Sequence, residues 1–152
     1  MTTPETKQSI STQISYFPNS FPPTIIRSYI INNVQTEFII QRFAERVFIG
    51  ISQLEGKIGT YISSSVEYSM IDNSTTYHLS TLLGKRDDLL EVYARQISER
   101  IYYSDHQKQQ LAGAESLPLL IGIALKKGSD SGDMFKEIIN TTKLLYEESL
   151  DL

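Results

Sequence analysis

The chain has 152 residues, 40% of them hydrophobic and 21% charged, which is the composition of one folded domain with a real core and speaks against global disorder. Its 14 basic and 18 acidic residues leave a net charge of −4, and the basic residues are scattered, adjacent only at Lys85-Arg86 and Lys126-Lys127, which argues against a nucleic-acid backbone as partner. The absence of cysteine excludes disulfides, thiolate metal sites and cysteine nucleophiles.

Residues 1–8 are polar and read as a flexible tail, with the folded domain expected over 9–149. No apolar run at the start resembles a signal peptide, so the two sequons, at Asn73 and Asn140, are read as chance and a soluble intracellular protein is expected, cytoplasmic with the nucleus also open. From Ser9 to Tyr16 small polar residues alternate with Ile10, Thr12, Ile14 and Tyr16, the period of a half-buried strand, and Pro18, Pro22 and Pro23 break it. Thr24 to Ile31 and Thr36 to Phe43 are β-rich around a turn at Asn32-Asn33-Val34-Gln35. Val47 to Gln53 puts Val47, Ile49 and Ile51 on one face and Phe48 and Gly50 on the other; a turn at Leu54 to Lys57 leads to a strand over Ile58 to Tyr68. Short connections between these strands predict an antiparallel meander.

Met70 to Tyr77 reads as a polar loop and Leu79 to Leu83 as a short strand ending at Gly84. Leu90, Tyr93, Ala94, Ile97 and Ile101 then fall at helical spacing, predicting a helix from Asp88 to Tyr103 capped by Asp87 or Asp88, with Glu91, Arg95, Gln96, Glu99 and Arg100 on its solvated side. Ser104 to Ser116 is expected to be a polar connection. Leu117 to Leu125 is almost wholly apolar, hence a central strand covered on both faces and too short for a bilayer, which takes about 20 residues. Asp130 is the expected cap of a last helix, to about Glu148, with Met134, Phe135, Ile138, Ile139, Thr142 and Leu145 buried. The class predicted is α+β, an antiparallel sheet packed with two helices in a single domain.

The residues offer little chemistry. The only histidines, His78 and His106, lie in polar surroundings, and pairing either with Ser80 or Ser104 plus a carboxylate has no support in the spacing. No histidine pair sits at metal-ligand spacing. Gly50 to Lys57 differs from a phosphate-binding loop by having five residues between its glycines and Ile58 after the lysine, and reads as a turn with glycine at positive φ. Lys85-Arg86 reads as a strand-to-helix turn rather than an anion site, and Asp87, Asp88 and Glu91 as helix-start carboxylates rather than a cation site. Tyr93 belongs to the helix's apolar stripe; Tyr102 or Tyr103 is expected exposed, as tyrosines at protein interfaces are. No catalytic, cofactor-binding or metal-binding residue is expected.

Three blocks, in this order, carry a resemblance. Gly56-Lys57-Ile58-Gly59-Thr60-Tyr61-Ile62-Ser63 resembles the signature hairpin of the proteasome assembly chaperone 3 family. Thr81-Leu82-Leu83-Gly84 with Leu89-Leu90-Glu91-Val92-Tyr93-Ala94-Arg95 resembles that family's Leu-Leu-Gly strand end and following helix. Leu119 to Lys126 and the helix from Met134 to Leu145 are similar to its closing strand and helix. The resemblance implies a non-enzymatic subunit, without cofactor, that pairs with the paralogous proteasome assembly chaperone 4. The pair would hold 20S α-subunits, α5 in particular, and leave before or as β-subunits join. The sister chaperone 4 shares the Leu-Leu-Gly end and the final helix, so the choice between the two rests on Gly56 to Ser63. The N-terminal strand region, Ser64 to Tyr77 and Ser104 to Ser116 look longer than in shorter members, as in a fungal-type version. Lys57, Tyr61, Ser63, Tyr102 and Tyr103 are the interface candidates. A longin-like adaptor in trafficking is the alternative, since domains of this size and class are common there.

Overall fold

The computed structural model describes residues 22–109, 117–128 and 131–152. The polar tail, the strand expected over Ser9 to Tyr16, the proposed cap Asp130 and the second half of the connection after Ser104 lie outside the described residues. The described strands are β1 (Thr24–Ile31), β2 (Val34–Arg42), β3 (Val47–Ser52), β4 (Thr60–Ser69), β5 (Ser74–Leu83) and β6 (Leu119–Ala124). Helix α1 (Asp88–Gln109) joins β5 to β6, and α2 (Gly132–Ser149) follows β6.

Asn32 and Asn33 take φ of 49° and 63°, the consecutive left-handed pair that closes a two-residue hairpin, and they set β1 against β2 in register from Ile31↔Val34 to Thr24↔Gln41. β3 continues antiparallel to β2. Here the meander stops. The sheet order is β1-β2-β3-β6-β4-β5, so β6 stands between β3 and β4, parallel to the first and antiparallel to the second. Gly56 to Ser63 is therefore a turn and the strand it feeds, not a hairpin. Residues 53–59 are long enough to cross the roughly 10 Å of two strand spacings, where a two-residue turn would have forced neighbours together. The α+β class and the central position of the apolar strand stand as expected.

Two other boundaries differ from expectation. The stretch expected to be a loop up to Tyr77 is strand from Ser74, because Thr75, Thr76 and Tyr77 suit a half-exposed edge strand paired with Tyr68, Glu67 and Val66. Helix α1 runs past Tyr103 to Gln109. Its polar end is held by polar partners on α2: the Ser104 hydroxyl donates to Glu147 at 3.0 Å, and the Tyr146 hydroxyl to Asp105 at 2.6 Å.

Both helices lie on one face of the sheet. Ile25, Phe38, Ile40, Ile49, Ile51, Ile62, Ile121 and Ile123 point toward them and form one buried cluster with Tyr93, Ile97, Ile101, Ile138, Ile139 and Leu145. Asp87 caps α1, its Oδ1 accepting from the amides of Leu89 at 2.9 Å and Leu90 at 3.4 Å. Ser131, not Asp130, caps α2 by accepting from Met134 at 3.2 Å, which satisfies an otherwise orphaned amide. Gln53, just past β3, is buried and ties three elements together: its amide donates to Thr36 at 3.2 Å and to the Met134 sulfur at 3.4 Å, and its carbonyl accepts from the Lys126 amide at 3.1 Å.

Candidate partner interface

Strand alternation sends the other half of each strand to the opposite face, which no described helix covers. Along β1 this side carries Ile26, Ser28 and Ile30; along β2, Glu37, Ile39 and Gln41; along β3 and β6, Phe48, Gly50, Leu120 and Gly122. Tyr61 and Ser63 of β4 join it, opposite Gly122 and Leu120. Ile26 is 42% exposed, an isoleucine left in water although the fold has an apolar layer on its other side.

Gly50 and Gly122 face each other across the β3–β6 pair. A Cβ on Gly50 would lie 2.5 Å from Ile39 Cγ2, and one on Gly122 would lie 2.9 Å from Ile58 Cγ2 and 3.2 Å from the Tyr61 ring. The paired glycines thus form a shallow channel that Ile58, from the turn before β4, partly fills. That turn is tight: Glu55 and Gly56 have φ of 55° and 79°, the Lys57 amide donates to Leu54 at 3.1 Å, and the Ser52 hydroxyl donates to the Lys57 carbonyl at 2.6 Å. Gly84 packs on the same region from the end of β5, against the Gly59 carbonyl and Thr60. Two of the sequence blocks that carry the family resemblance, 56–63 and 81–84, therefore touch one another.

The structure divides the candidate residues. Tyr61 and Ser63 lie on the bare face and Lys57 on the exposed turn at its edge, whereas Tyr102 and Tyr103 lie on α1, in the layer behind the sheet. Of the two tyrosines expected to supply an exposed ring, Tyr102 is the covered one. It is 7% accessible because its ring packs edge-on to Tyr77 of β5 at 6.2 Å, while Tyr103 is 57% exposed. Tyr93 is fully buried against Phe135, ring centroids 4.7 Å apart. Burial pushes the Tyr93 phenol up to about 12; Tyr77 also reaches about 12 through burial, aided by the Glu99 carboxylate.

The polar groups weighed for chemistry are otherwise engaged. His78 Nε2 is 3.0 Å from Glu67 Oε2, both exposed on the bare face; the His106 side chain lies outside the described residues. Arg86 pairs with Glu91 at 2.9 Å, and Asp87 is the helix cap. Among the described residues no three His, Asp or Glu side chains gather as a metal site would require, and no helix is long and apolar enough to cross a membrane.

Ile26, Glu37, Ile39 and Leu120 stand outside the interface candidates expected from the sequence. The alternation that placed their neighbours in the core also placed them together; what it did not show was which face would receive the helices. A second feature outside those candidates is the tip between β4 and β5, where Met70 and Ile71 are 82% and 98% exposed. β4 pairs with β6 only from Thr60 to Ser64, so beyond that point the β4–β5 hairpin stands out from the sheet.

Among the described residues the helices seal one face of the sheet and leave the other, which carries Ile26, Ile39, Phe48 and Leu120 beside Glu37 and several serines, without a helix over it. The family model for proteasome assembly chaperone 3 matches residues 49–143, from β3 into α2, and the chain belongs to that family. In fold it is similar to a chain of the crystal structure of a chaperone complex for yeast 20S proteasome assembly. That similarity has a TM-score of 0.59 at 19% identity and covers 84% of this chain and 99% of the other. No curated protein sequence matches the chain.

Proposed function

We propose that the chain is a non-enzymatic assembly chaperone subunit that pairs through its bare sheet face with the paralogous proteasome assembly chaperone 4. The pair binds 20S α-subunits, α5 among them, promotes α-ring assembly and leaves before or as the β-subunits join. The observation that carries this reading is a sheet face with no described helix over it, where Ile26 is exposed and Ile39, Phe48 and Leu120 are half-buried, in a member of a chaperone family. A stable pair buries roughly 800 Å² on each partner, drawn from a contiguous surface such as one face of a sheet. Release by competition with incoming β-subunits needs no nucleotide, in keeping with Gly50 lying in a strand and Gly56 in a turn rather than in one phosphate cradle. The work is done in the cytoplasm, with the nucleus also open to it.

Co-purification of the tagged chain from its native cells, followed by mass spectrometry, tests the reading. The expected result is recovery of a small paralogous partner together with α-subunits and without mature β-rings. Recovery of neither at mild salt rejects it in favour of the adaptor reading.

A further inference from the structure

We infer that the partner chain brings a lysine or arginine into a groove beside Glu37, and that this charge selects a different chain over a second copy of this one. The inference rests on the reading that the bare face is the pairing surface.

The groove, of about 390 Å³, lies between the β1–β2 hairpin and the turn before β4, and is lined by Ile26, Ser28, Glu37, Ile39, Gly56 and Ile58. Glu37 is half-buried on its wall, with Oε2 3.1 Å from where a Cβ on Gly56 would lie. It has no ion-pair partner among the described residues. Arg27, which borders the groove, is turned to the helix layer and holds Glu148 at 2.6 Å.

The distribution of charge across the sheet is one-sided. The six strands contain only two Lys or Arg residues, Arg27 and Arg42, and both serve the helix side; the Arg42 guanidinium donates to the Ser149 carbonyl at 2.9 Å. The strand carboxylates Glu37 and Glu67 are both on the bare face. Sealing that face under apolar surface would strip water from Glu37 with nothing in return. A Lys or Arg answers both halves of the groove: its methylene stem lies on Ile26, Ile39 and Ile58, and its head makes a charge-assisted hydrogen bond to Glu37. A second copy of this chain would bring carboxylates and no strand cation to the same surface, with the exposed Lys57 only at the edge.

The test is the affinity of the purified chain for co-expressed paralogous chaperone 4, at low and high salt, with Glu37→Gln, Glu37→Lys and Tyr61→Asp. Far-UV circular dichroism checks the fold of each variant, and Gln keeps the shape of Glu. Glu37→Gln is expected to weaken pairing about tenfold and flatten its salt dependence, and Glu37→Lys to weaken it more than about a hundredfold. Tyr61→Asp reports on the face as a whole. If Tyr61→Asp abolishes pairing while both Glu37 variants pair like the parent, the face is the interface and the charge inference is wrong. If Tyr61→Asp pairs normally, the face is not the interface and both readings fall. A stable dimer of the chain alone, dissociated by Glu37→Lys, would make a second copy the occupant and also overturn the inference.

Discussion

Gly84 shows how a single residue holds a motif together. Its φ of 92° lies in the left-handed region, and a Cβ there would press on the Gly59 carbonyl and stand 2.9 Å from Thr60 Cα. Both obstacles are backbone, so neither moves aside as a side-chain tip would. Gly84→Ala is expected to cost about 3 kcal/mol, the sum of left-handed strain and overpacking, read as a lower urea midpoint. The tyrosines give a pH dependence at the same scale. Tyr77 and Tyr93 keep their protons to about 12 in the folded chain, while the unfolded chain releases them near 10. The unfolded state therefore loses protons first, so their contribution is complete below about pH 10 and declines as pH rises toward 12. Urea midpoints measured upward from pH 8 should hold level and then fall, and Tyr93→Phe should flatten that fall.

Among the elements, α2 shows which interactions are local. Ser131 sits at its N-cap, and Asp133 adds favourable charge in the first turn. Ser131→Ala should lower stability by about 1 kcal/mol, seen in thermal unfolding. The protruding β4–β5 hairpin should behave in the opposite way. Met70 and Ile71 touch water rather than core, so changing both to serine should move the midpoint by no more than about 0.5 kcal/mol. A cap of this kind is readable in sequence as a short polar residue ahead of an apolar stripe, although the residue expected, Asp130, stands one position before Ser131. Gln53 was not readable, because its partners Thr36, Lys126 and Met134 come from distant parts of the chain.

At the scale of the whole molecule, the asymmetry between the two sheet faces has a direct consequence for the chain alone. An uncovered apolar face binds hydrophobic dyes, so the isolated chain should enhance anilinonaphthalene sulfonate fluorescence and the paired chain should not. Its thermal midpoint should also rise with partner concentration, corresponding to about 2.7 kcal/mol when the partner is at a hundred times its Kd. A chain that binds no dye would mean that its face is already covered.

Alternation and helical spacing in the amino-acid sequence were enough to place β1 to β4, the second half of β5, β6, the two helices short of the last turns of α1, and most of the residues that line the core, because those patterns are properties of neighbouring residues. The family blocks were legible for the same reason: they are short, local and bound to turns that only glycine permits. Only the tertiary structure decided that β6 enters between β3 and β4, that both helices settle on one side, and that Tyr102 is covered while Ile26 stays exposed and Glu37 and Ile39 half-buried on the other face. Every strand has two faces of opposite character, and which becomes core depends on where distant helices dock. That choice is made by packing across the whole chain, and here it created the surface on which the proposed function rests.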